Sequence, residues 1–187
     1  MTLFEFLSVV FSLVLALGVS RGLNGVRSAY MLNRRYWPHA IWLFNKLLNA
    51  VTYWWWLWSY SEAKDYWNLF NFFLALLIPV ILYLQMDSLV THRPREVTNW
   101  KAHYYSEHRW FFGFNAVQAA LACYILSNFG NPMPAHVLGV LWALITLILS
   151  VVCYKSEQHK THMVAAVVVG SGQVLFLISN MQVPNAA

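Results

Sequence analysis

The chain has 187 residues, of which 59% are hydrophobic, 17% aromatic and only 10% charged, and its formal net charge is +5. A soluble domain carries about 25% charged residues, so this chain lacks the polar surface that would cover a core in water. Its basic residues sit in short clusters between apolar runs, a pattern that excludes the continuous basic stripe of a nucleic-acid binder and points to anionic lipid headgroups.

A bilayer-spanning helix needs roughly 20 mostly apolar residues. Six runs qualify, at about 3–20, 38–60, 66–86, 110–129, 135–154 and 163–182. The expected fold is all-α: a single-domain polytopic membrane bundle over 1–187, with six transmembrane helices and a short amphipathic cytoplasmic helix at about 96–108. The connecting segments orient it. Arg21, Arg27, Arg34 and Arg35 follow the first run; Arg93, Arg95, Lys101 and Arg109 follow the third; Lys155 and Lys160 follow the fifth. The second loop has only Lys64, and the fourth has no Lys or Arg. Positive loops stay inside, so both termini are expected on the non-cytoplasmic side of a cell (inner) membrane, with anionic lipid at the cytoplasmic face.

The first helix carries Ser8, Ser12, Ala16 and Ser20 at four-residue spacing. Small residues so placed let helix backbones approach in lipid. Packing against another helix of the bundle is expected, with a homo-oligomer seam as the alternative. Glu5 and the lack of an early basic stretch make these residues a poor signal peptide. From Gly22 to Trp37 the sequence suits a helix lying at the inner interface.

The second run contains Lys46, flanked by Asn45 and Asn49, the one basic residue well inside an apolar run. His39, Lys46, Asn49 and Tyr53 share a face by their spacing of seven, three and four. Side chains tilt toward a helix N-terminus, so Lys46 is expected to snorkel toward the cytoplasmic end and meet Asp87. Such a stripe should face protein or a cavity rather than lipid. The block Tyr53, Trp54, Trp55, Trp56, Trp58 and Tyr60 reads as an aromatic belt.

In the third run Pro79 is expected to kink the helix. Beyond it, Val97, Trp100 and Tyr104 lie opposite Glu96, Asn99, His103 and Glu107, which predicts the amphipathic helix, capped by Thr98 or Thr91 and lying on the inner leaflet. The fourth run holds Asn115 and Gln118 on one face. The fifth offers Trp142, Thr146 and Ser150. The sixth holds Gly170, Gly172 and Gln173, where the glycines suit close helix contact.

Two chemistries follow. Asn45, Lys46, Asn49, Asn115, Gln118 and Gln173 are candidates for a polar core that binds or conducts a ligand, with His39 and Tyr53 beside it. Alternatively His39, His108 and His162 begin the second, fourth and sixth runs at similar depth, and three imidazoles in one layer suit a metal ion or axial haem ligation. No HExxH, GxSxG, P-loop, GxGxxG or CxxC motif is present, and Cys123 and Cys153 fall too far apart in depth for a disulfide. The leading expectation is a non-catalytic transport, channel-like or accessory subunit. A metal- or haem-dependent membrane enzyme is the second, and a structural or regulatory partner of a larger membrane complex the third.

Overall fold

The computed structural model describes residues 3–29, 36–58, 68–91, 97, 99–129 and 134–179. They form six helices: α1 (Leu3–Ala29), α2 (Trp37–Trp58), α3 (Leu69–Leu89), α4 (Trp100–Phe129), α5 (Pro134–Lys155) and α6 (His159–Ser179). Five of them, all but α2, are long and apolar enough to cross a membrane.

The contacts give each helix its direction. Gly22 and Gly25 of α1 meet Leu47 and Leu43 of α2, while Gly18 and Gly25 meet Tyr83 and Val90 of α3. So α1 is antiparallel to α2 and parallel to α3. His39 reaches Leu89 and Tyr53 reaches Ala75, which makes α2 and α3 antiparallel. Asn115 bonds Ser150, and Gly113 lies against Tyr154, so α4 and α5 are antiparallel. The bundle alternates up and down.

The polar helix is the central one. α1, α3, α4, α5 and α6 pack in that order as an open ring, and α2 touches α1, α3, α4 and α6. Along most of its length its exposed large apolar residues form one strip, Trp37, Phe44, Val51 and Trp55, spaced by four to seven residues. Its central placement explains why α2 falls short on apolarity. A helix shielded by protein can carry His39, Asn45, Lys46, Asn49 and Thr52 without exposing them to hydrocarbon. The same tryptophan-rich end leaves Trp54 and Trp55 exposed while Tyr53 and Leu57 are buried.

Two apolar clusters bracket the polar centre. One, at the end where α2 and α4 begin, contains Trp42, Leu43, Val90, Tyr104, Phe111 and Phe112. The other contains Leu7, Phe11, Ala50, Leu57, Leu82 and Ile125.

Three expectations are corrected. α1 and α4 are longer than their apolar runs. The separate amphipathic helix at 96–108 does not exist as such: Trp100 onward is the first part of α4, and Trp100 and Tyr104 are buried against the bundle. The α4 cap is Asn99, whose Oδ1 accepts from the Lys101 and Ala102 amides at 3.0 and 3.2 Å. A 30-residue helix is about 45 Å long, longer than the roughly 30 Å hydrocarbon core of a bilayer.

The third correction concerns α1 packing. Ala16 and Ser20 are exposed, Ser8 and Ser12 are half-buried, and the two serines bond back to carbonyls of their own helix. The close approach is made instead by Gly18, Gly22 and Gly25. A Cβ at Gly25 would run into Val90, and one at Gly22 would lie 2.9 Å from Leu47. Arg21 joins the same contact: its Nε donates to Asp87 at 2.7 Å and its Nη2 to the Val90 carbonyl at 2.7 Å, which satisfies the end of α3.

Candidate functional site

Lys46 sits in α2 between the two apolar clusters and is only 4% exposed. A charge buried there is costly unless it is bonded on several sides. Its ammonium donates to the side-chain oxygens of Asn115 and, at 3.2 Å, Gln118, both one turn apart on α4. The Phe111 ring lies 5.8 Å from the nitrogen. No carboxylate among the described residues pairs with it.

The amides then bond one another. Gln85 of α3 donates to Gln118 at 3.0 Å and to Asn115 at 3.4 Å. Gln118 donates to Asn49 at 2.8 Å. Asn115 donates to the Ser150 hydroxyl of α5 at 2.7 Å, and Ser150 donates to the Thr146 carbonyl at 2.6 Å. One network thus joins α2, α3, α4 and α5. The amide oxygens replace the water that an ammonium would otherwise keep, which is why Lys46 stays inside without a counter-charge.

Lys46 therefore does not snorkel outward, and its expected partner Asp87 is held by Arg21 instead. Lys46, Asn49, Asn115 and Gln118 come together. His39 and Tyr53 flank them and bond α3 carbonyls, at Leu89 (2.7 Å) and Ala75 (2.8 Å). Asn45 is buried apart from them, with its Nδ2 lacking a hydrogen-bond partner. Gln173 forms a separate link, donating to Thr52 at 2.8 Å and tying α6 to α2. Gln85 and Ser150 complete the network; sequence reasoning passes over Gln85 and notes Ser150 without placing it in the polar core. Gln85 is one of two amides in α3, Asn71 lying near the opposite end, and a polar residue in such an apolar run is itself a signal of an interior contact.

No protein-family model, curated protein or solved structure matches this chain. A functional reading therefore rests on geometry alone.

The histidines form a second polar layer at the end where α2, α4 and α6 begin. His162 Nε2 donates to the Ser156 carbonyl at 2.7 Å, so its Nδ1 accepts from the Tyr104 hydroxyl at 2.9 Å. The Tyr36 hydroxyl lies 3.0 Å from that of Tyr105 and 2.9 Å from His159 Nδ1. Burial, with Tyr105 beside it, holds the Tyr36 hydroxyl far above the usual tyrosine range. His108 Nδ1 donates to the Tyr105 carbonyl at 2.6 Å.

This arrangement does not fit the expected metal or haem centre. His39 directs Nε2 at Leu89, and the lone pair of His162 is taken by Tyr104. His162 is packed by the rings of Tyr104, Tyr105, His108 and Phe112 at 5.2 to 5.6 Å, which leaves no space for a porphyrin over it. Among the described residues no three His, Cys, Asp or Glu side chains are placed to hold a metal ion. Cys123 and Cys153 are both free thiols.

The expected close contact at Gly172 has a specific neighbour: a Cβ there would overlap the Trp142 indole of α5. Gly170 is looser, with Ile41 at 3.4 Å from a built Cβ.

Proposed function

We propose that this chain is a non-catalytic integral membrane protein that crosses the bilayer six times, α2 included, and serves as an accessory subunit of a larger membrane assembly. The observation that carries this reading is the direction of the interior polar groups. Lys46, Asn49, Gln85, Asn115, Gln118 and Ser150 bond to one another across four helices. A conduit needs polar groups turned toward a water-filled path, and an enzyme needs groups turned toward a substrate. A network that joins side chains of four helices to one another fixes helix positions, and so fixes the outer surface that a partner recognises. In this reading both termini lie on the non-cytoplasmic side, and the basic odd-numbered loops meet anionic lipid.

The test is the size of the particle extracted from the host's own membranes after mild crosslinking. The accessory reading expects a complex containing a second, different membrane protein. A lone protomer, or an oligomer of this chain only, counts against it.

A second reading has its own support: Lys46 lacks a carboxylate partner among the described residues, so a transient opening would offer an anion a positive group inside the membrane. Purified protein in liposomes decides between the two. Anion flux that is lost in Lys46→Gln would replace the accessory reading with transport.

A further inference from the structure

Away from the Lys46 network, an open groove of about 610 Å³ lies between the end of α3 and the start of α4. That volume is in the range that holds a small ligand, roughly 300–1,000 Å³. Its α4 wall is one helical face, His103, Glu107, Trp110 and Phe114. Its α3 wall carries Leu84, Asp87 and Ser88.

The wall changes character along the helix axis. Asp87, Ser88, Thr91, His103 and Glu107 are at one end, with Val90 and Val97 beside them. Leu84 lies three residues, about 4.5 Å, further in along α3, and Phe114 lies seven residues, about 10 Å, beyond Glu107 along α4. α3 and α4 run in opposite directions, so the apolar residues of both walls share the same end. Trp110, between them, is 66% exposed on the outer surface of the bundle. The groove thus gathers its polar side chains where the bundle ends and is wholly apolar further in, the profile of a two-part amphiphile rather than a water-soluble molecule.

Charge selects the headgroup. Arg21 already neutralises Asp87 at 2.7 Å. Glu107 accepts no hydrogen bond and joins no ion pair among the described residues. One uncompensated carboxylate beside the hydroxyl of Ser88 favours a cation with N–H donors.

We propose that this groove binds a phospholipid bearing a primary amine, such as phosphatidylethanolamine, with the ammonium at Glu107 and an acyl chain along Leu84, Trp110 and Phe114. Such a lipid has the sign, the donor groups and the polar-to-apolar order that the walls show. An anionic headgroup would meet Glu107 unfavourably. A choline headgroup has the charge but no N–H to donate.

The test is native mass spectrometry of the purified full chain offered equimolar phosphatidylethanolamine, phosphatidylcholine and phosphatidylglycerol. Wild type is expected to retain the ethanolamine lipid preferentially. Glu107→Gln should lower that retention by about tenfold, the scale of one charge-assisted hydrogen bond. Ser88→Leu, which fills the polar end without touching the carboxylate, should lower it comparably. Glu157→Gln, at an exposed carboxylate paired with Arg109 elsewhere on the surface, should leave it unchanged. Equal retention of the three lipids overturns the proposal. So does wild-type retention in both Glu107→Gln and Ser88→Leu, or an equal loss in Glu157→Gln, which would assign the effect to overall charge.

Discussion

The Lys46 ammonium is held by the side-chain oxygen of Asn115, an amide from the neighbouring helix, where an acidic residue would be the usual partner. The asymmetry of this pair matters. Asn115 also takes a hydrogen from Gln85 and gives one to Ser150, so it remains bonded if Lys46 is removed. Lys46 without Asn115 keeps only Gln118.

Removing the two partners should therefore have unequal costs. Asn115→Leu leaves a buried ammonium half-solvated and is expected to destabilise the bundle by about 3 kcal/mol. Lys46→Met, an apolar residue of similar length, should cost about 1 kcal/mol or less, because Gln85 still donates to both amide oxygens. The double variant should be more stable than Asn115→Leu alone. Unfolding in mixed micelles, followed by far-UV circular dichroism, gives the three values. Strictly additive penalties would mean that the ammonium does not depend on Asn115.

Much of this arrangement was legible beforehand, and the misses have physical causes. The interior placement of Lys46, Asn115 and Gln118 follows from the cost of polar groups in lipid. The direction of Lys46 does not, because snorkelling assumes a helix that faces lipid near its own end, and α2 is enclosed by four others. The full lengths of α1 and α4 were hidden because hydrophobic thickness limits the apolar run, not the helix. Amphipathic spacing at Trp100 and Tyr104 was real, but the apolar side faces His39, Tyr36 and the rest of the bundle rather than a lipid surface.

Small residues in a membrane helix look alike in sequence, and only geometry separates those that matter. Gly172→Ala places a methyl group inside the Trp142 indole, so the ring must shift, and should cost about 2 kcal/mol. Gly170→Ala meets Ile41 at ordinary distance and gains helix propensity, so it should stay within about 0.5 kcal/mol of wild type. Ser20→Leu, on the exposed face of α1, should be equally mild. Thermal melting of the three variants ranks them. A Gly170→Ala penalty equal to that of Gly172→Ala would mean that the α5–α6 contact is not set by Trp142.

The Tyr36 hydroxyl, lying just before α2, ties the α2 entry to α4 through Tyr105 and to α6 through His159. Its burial favours the protonated form, so the folded chain ionises Tyr36 at higher pH than the unfolded chain does. The sign follows directly: below the ordinary tyrosine value of about 10 the group contributes its full stabilisation, and above it the unfolded state gains by losing the proton. Stability should fall as pH rises past about 10. Tyr36→Phe removes the titrating group along with its hydrogen bonds, costing about 1 kcal/mol at neutral pH. The variant should then lose less stability than wild type in alkaline buffer, so the two melting curves converge as pH rises. Melting temperatures that fall in parallel across that range would show that Tyr36 titrates in the folded chain as it does in water.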